Sequence, residues 1–183
     1  QRYTISSYVP VPILEIGSIS EGNDIDRVES FFVRESKDFL QKYFKKELFF
    51  TDVEGKTKEE VLKNLCRRVE QEKGLPETFT ASVLKREELT PTDYGNLVAL
   101  PHPERAFQER AFVAVAVLKE PIFWFRQKVQ VVFLTAIGRE EDENLQQFYE
   151  ATTDLILRPA DVQNLIRHPD YDRLIQLLRR AEE

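Results

Sequence analysis

KREELTPTDYGNLVALPHP, residues 85–103, closes a helical pattern, crosses a loop and ends an apolar run in a histidine held between two prolines. Pro91 and Gly95 punctuate the loop "LTPTDYGN", and Leu97 to Leu100 read as a short strand. Pro101 and Pro103 restrict the backbone on both sides of His102. A strand stopping there sets His102 at a sheet edge, stiffly presented. A histidine so placed serves either chemistry or a rigid turn, and these residues alone leave both open.

Upstream, "GKTKEEVLKNLCRRVEQEKG" is the clearest helix of the chain. Thr57 and Glu60 have capping-box spacing, Val61, Leu62, Leu65, Cys66 and Val69 form one apolar stripe, and Gly74 supplies a stop. A second helix follows Pro76 and runs to about residue 88. Before them, Phe39, Leu40, Tyr43 and Phe44 lie at helical spacing, and "ELFFTDV" has strand composition. Downstream, "AFVAVAVL" and "KVQVVFLTAI" are Val-rich runs of strand length separated by "KEPIFWFRQ". Helices are expected over 143–157, 160–167 and 171–181. Strand-length runs among helices imply an α/β fold, a mixed central β-sheet with helices packed on both sides.

Residues 1–34 follow no sustained period, with two close prolines and then Gly, Ser and Asn. They read as a linker or the remnant of a preceding unit, with the compact domain over 35–183. The first residue is Gln1 rather than Met, as expected of a piece taken from a longer protein. No signal-peptide start appears, and no apolar stretch reaches the roughly 18 residues of a membrane span; a cytoplasmic location is the default expectation.

At 42% apolar and 32% charged, the 183 residues have the composition of a globular domain. A net charge of −6 opposes the phosphate attraction that drives nucleic-acid binding. Contact with nucleic acid or membrane is therefore not expected of this domain. Cys66, the lone cysteine, falls on a buried helix stripe, and with His102 and His168 it makes no zinc-ligand spacing, so no metal site is expected. No G-x-S-x-G accompanies His102, which leaves a hydrolase triad unsupported. No G-x-x-x-x-G-K-[ST] or G-x-G-x-x-G cradles a nucleotide.

Read together, residues 85–103 resemble the active-site stretch of enzyme IIA domains of the bacterial phosphotransferase system, fructose/mannitol type (EIIA type 2). An Arg-Glu pair, a Thr, a Gly and an Ala-x-Pro-His run recur there at these spacings. "LFFTDVEGKTKEEVLKNLCRRVEQEKG" is similar to that family's opening strand and first helix. The Val-rich strands and "ENLQQFYEATTDLI" fall where the family has them, so the resemblance spans roughly residues 35 to 183.

The resemblance implies a phosphocarrier without cofactor. His102 occupies the position that accepts a phosphoryl group from the histidine-containing phosphocarrier protein HPr and passes it to a IIB partner. Whether such a phosphoacceptor counts as an enzyme stays open. A neutral imidazole has a nucleophilic nitrogen near neutral pH, and transfer then rests on positioning and charge stabilisation. Arg86 matches the family's active-site arginine, whose planar fork suits phosphate oxygens; an exposed helix arginine is the plainer reading. Thr92, Gly95 and Asn96 are expected to bind phosphoryl or shape the site. Asn96 stands where mannitol-type members have a glutamate, and Asn144 where many carry a second histidine. His168, before Pro169, reads as a helix-end residue.

The same domain type serves sugar transport and closes multidomain transcription activators and antiterminators. The opening "VPVPILEIGSISEGNDIDRVESFF" resembles the end of a IIB-like domain, the unit preceding IIA in those regulators, and "YFKKELFF" also looks like that class. A sugar-sensing regulatory domain is therefore expected. The alternatives are a transport-type IIA, or a degenerate module that only binds partners. Sugar identity and oligomeric state are not legible.

Overall fold

The computed structural model describes residues 39–180; the expected linker or IIB-like remnant at 1–34 lies outside them. In chain order the elements are a single-turn helix α1 (Leu40–Tyr43), β1 (Phe44–Phe50), α2 (Lys58–Lys73), α3 (Thr78–Leu89), β2 (Asp93–Gly95) and β3 (Val98–Ala99). Then follow β4 (Phe112–Phe123), β5 (Lys128–Ala136), α4 (Leu145–Ile156), α5 (Pro159–Arg167) and α6 (Tyr171–Arg179). Among the described residues no helix is long and apolar enough to cross a membrane.

The strands form one five-stranded sheet in the order β1-β4-β5-β3-β2. β1 runs parallel to β4 and β3 parallel to β5, while β4 and β5, and β2 and β3, pair antiparallel. Successive strand residues face opposite ways. Val113, Val115, Val117 and Phe133 therefore join one apolar cluster with Tyr43, Phe148, Leu155, Leu165 and Leu174, from α1 and α4–α6. Ala114, Ala116, Leu118 and Leu134 join the other with Leu62, Leu65, Cys66, Phe79 and Val83, from α2 and α3. Both faces are covered, so the Val-rich strands carry no polar alternation. Full burial of each Val or Leu is worth roughly 1.5–3 kcal/mol.

α2 forms as its sequence requires. Thr57 Oγ1 accepts from Glu60 N at 3.2 Å, and Gly74 closes the helix with φ +64°. The reciprocal arm differs from the usual capping box: Glu60 Oε2 accepts from Lys56 N at 2.8 Å, one residue further upstream. Pro159 opens α5 at a position whose N–H would have no partner in the helix.

Three boundaries depart from the sequence reading. Phe44 belongs to β1 rather than to the helix before it, because Phe44 pairs with Val113 on β4 and tertiary pairing overrides local spacing. β1 then takes five steps, from Phe44 to Phe49, against two on β4, from Val113 to Val115. This irregularity lets Phe44 and Leu48 serve opposite faces. "KEPIF" continues β4 past a register shift between Val117 and Ile122 instead of forming a connection. The loop "LTPTDYGN" contains β2, which pairs back on β3.

One end of the sheet gathers what matters for function. The C-terminal ends of the parallel β3 and β5 lie there together, beside the N-terminus of β4, since Phe112 pairs with Ala136. His102 leaves β3 at this end.

Candidate functional site

β3 stops at Ala99, and Leu100 to Pro103 continue without regular pairing. Pro101 and Pro103 are buried while His102 between them is partly exposed. The path is anchored at each step: Leu100 N donates to Thr92 O at 3.0 Å, and Thr135 N on β5 donates to Pro101 O at 3.0 Å. The imidazole is held as well, with Nδ1 at 3.2 Å from the Leu100 carbonyl oxygen. A carbonyl oxygen can only accept, so this contact requires the proton on Nδ1. Nε2 then carries the free lone pair, and the nucleophilic nitrogen is set by the backbone.

Across from this segment lies α3. Glu104 N donates to Ser82 Oγ at 2.8 Å, and Lys85 Nζ lies 3.1 Å from Glu104 Oε1. Ser82, Lys85 and Arg86 are spaced i, i+3, i+4, which puts them on one helix face. Arg86 therefore shares the face that meets the chain just beyond His102. Its Nη1 donates to the Thr90 carbonyl at 3.1 Å, closing the end of α3 with a cation as helix ends favour. No hydrogen bond joins Arg86 to His102 among the described residues.

Beneath them sits a buried carboxylate. Glu87, only 2% exposed, accepts from Thr92 N at 2.9 Å, from Thr92 Oγ1 at 2.7 Å and from Trp124 Nε1 at 2.8 Å. Lys58 Nζ, at the start of α2, is 3.8 Å away. Thr92 is thus oriented by Glu87, and its own carbonyl receives Leu100 N.

Gly95 and Asn96 form the turn between β2 and β3, where Gly95, Asn96 and Leu97 all adopt positive φ (120°, 50° and 65°). Leu97 O accepts from Val131 N, whereas Pro101 O accepts from Thr135 N, four residues on along β5. The turn and the histidine segment are therefore about 13 Å apart along the strand. The Asn96 amide is occupied elsewhere, donating to Ile156 O at the end of α4 at 2.8 Å. Among the described residues no hydrogen bond joins Gly95 or Asn96 to His102. Asn144 precedes α4 as its N-cap, without a side-chain cap bond. Its Oδ1 accepts from Lys42 Nζ at 3.3 Å and its Nδ2 donates to Gln147 Oε1 at 3.1 Å. His168 is the C-cap of α5, its N–H donating to Asn164 O at 3.0 Å.

Sequence reading missed Ser82 and the Leu100 carbonyl, and it noted Glu87 only as part of the Arg-Glu pair, without a role. Glu87 left a signal: Phe79, Val83 and Glu87 recur every four residues, so a carboxylate extends a buried stripe. Ser82 and Leu100 left none, because their parts depend on partners 22 and 2 residues away that only folding aligns.

The family profile described as "Phosphoenolpyruvate-dependent sugar phosphotransferase system, EIIA 2" matches residues 42–181. A Bacillus subtilis (strain 168) protein described as a regulator of the licABCH operon is 35% identical over 170 residues, 93% of this chain and 26% of that protein. The transcriptional regulator ManR of the same organism is 26% identical over 176 residues, 91% of this chain and 26% of ManR. The chain thus spans about a quarter of the length of each relative. Among solved structures, the mannitol enzyme IIA of Escherichia coli, in its complex with phosphorylated enzyme IIB, superposes with a TM-score of 0.59. It covers 72% of this chain and 94% of that one at 18% identity, a likeness of fold. On the match over residues 42–181, this chain belongs to the EIIA 2 family of the phosphoenolpyruvate-dependent sugar phosphotransferase system.

Proposed function

We propose that this domain is the phosphoacceptor of a sugar-responsive transcriptional regulator, and that His102 takes its phosphoryl group from phospho-HPr in the cytoplasm. The observation that carries the reading is the Nδ1 contact to the Leu100 carbonyl, which leaves Nε2 as the nucleophile. In the step, the Nε2 lone pair attacks phosphorus and a new N–P bond forms. The donor's N–P bond breaks, and the departing imidazole keeps that electron pair. The His102 ring, still protonated on Nδ1, becomes cationic, so its bond to the Leu100 carbonyl strengthens as charge develops. Arg86 would offset the phosphoryl charge on turning from the Thr90 carbonyl, which lies on the same side of α3. Thr92 shapes the site through Leu100, while Asn96, Gly95 and Asn144 act on the turn and on the start of α4.

The regulator reading rests on the similarity to two B. subtilis regulators. It extends to residues 1–34 as the end of a IIB-like unit preceding a domain over 35–183. A IIB protein or domain is then the candidate onward acceptor. Incubation with phosphoenolpyruvate, enzyme I and HPr tests the assignment: an acid-labile label is expected on His102 and lost in His102→Ala. Labelling of His168, or undiminished labelling of the variant, refutes it.

A further inference from the structure

We infer that the buried Glu87 is a positioning residue for His102, acting through Thr92 and the Leu100 backbone; the inference rests on His102 being the phosphoacceptor. Its carboxylate continues the apolar stripe of Phe79 and Val83, where the cost of taking a charge out of water is offset only by the donors it meets.

What an apolar residue could not do is hold Thr92. One oxygen of Glu87 accepts the Thr92 N–H and the other its hydroxyl, at 2.9 and 2.7 Å, so backbone and side chain are clamped together. Trp124 Nε1, from the β4–β5 connection, and Lys58 Nζ, from α2, brace the carboxylate at 2.8 and 3.8 Å. The clamp aims the Thr92 carbonyl at Leu100 N, 3.0 Å away. Pro101 confines Leu100 to extended conformations, and Thr135 N holds the Pro101 carbonyl at 3.0 Å. With both sides of Leu100 fixed, its carbonyl meets His102 Nδ1. The chain of contacts Glu87, Thr92, Leu100, His102 therefore selects the tautomer whose Nε2 lone pair is free. Loosening it allows the proton to move to Nε2, where it blocks attack on phosphorus.

The test uses the 183-residue chain. Imidazole 15N spectra of His102 read the tautomer, and uptake from phospho-HPr reads the rate. Thr92→Val removes the hydroxyl donor and keeps the shape, Glu87→Gln replaces an acceptor oxygen with an amide among donors, and Thr92→Ser restores the hydroxyl. Thr92→Val and Glu87→Gln should shift His102 toward the Nε2–H form and slow uptake by roughly ten- to a hundredfold, with Thr92→Ser like wild type. Val83→Ala, which loosens α3 without touching the clamp, should leave the tautomer unchanged. If Glu87→Gln fails to fold, the Thr92 pair decides alone, because it keeps Glu87. A wild-type tautomer in Thr92→Val overturns the inference, as does an equal shift in Val83→Ala. The spectra need no phosphoryl donor, so an unlabelled wild type refutes the phosphoacceptor reading separately.

Discussion

Arg86 and Glu87 are neighbours in sequence with opposite fates. One caps the end of α3 through the Thr90 carbonyl, and the other is buried against Thr92 and Trp124. A helix advances 100° per residue, so adjacent positions cannot share a face. The charge on Arg86 is the part of the pair that suits phosphoryl transfer. Arg86→Ala should slow phosphorylation of His102 by about 10²- to 10³-fold, the range for removing one such donor. Arg86→Lys should recover only part of this, because an ammonium cannot reproduce the planar fork. Rates measured with phospho-HPr check it, and equal rates in all three proteins would leave Arg86 as the cap of α3.

At the level of elements, the helix most legible in the sequence is also the one with the most complete local stop and start signals. α2 needs nothing from afar to define its ends: Thr57 caps it, Glu60 ties back to Lys56, and Gly74 ends it in a left-handed turn. Thr57→Ala should therefore lower the urea unfolding free energy by about 1 kcal/mol without changing the rate of His102 phosphorylation beyond its effect on the folded fraction. A loss much above 2 kcal/mol would show that Thr57 also supports packing. β2 is the opposite case: read as a loop from its sequence, it has only three residues, and it exists because β3, itself paired with β5, templates it.

Across the whole molecule, two apolar clusters on the two sheet faces bury groups that would otherwise ionise. Burial pushes the Cys66 thiol far above its ordinary value of 9.0, with the Glu70 carboxylate adding to it. Burial likewise raises the Tyr43 phenol above its ordinary 10.0, with Asp142 contributing. In the unfolded chain both groups release their protons at the ordinary values, while the folded chain keeps them. Stability is then fully present below about pH 9 and is lost as pH rises, by about 1.4 kcal/mol per pH unit for each group once its unfolded form is ionised. Urea midpoints should fall from about pH 9 upward, and Cys66→Ala should flatten the first part of that fall. An identical slope in the variant would show that Cys66 ionises in the folded state.

The alternation of Val-rich runs, the stripe of α2 and the prolines around His102 were enough to determine an α/β sheet covered on both faces and a rigid histidine beside it. Those features are local, since period, capping and proline geometry act within a few residues. Only tertiary structure decided which imidazole nitrogen is free, because that depends on where the Leu100 carbonyl points once Thr92 and Thr135 hold the chain. It also decided that Asn96, six residues from His102 in sequence, lies by the end of α4. An extended strand separates residues that sequence places close together, while pairing and helix packing bring Ser82 to Glu104 and Glu87 to Thr92.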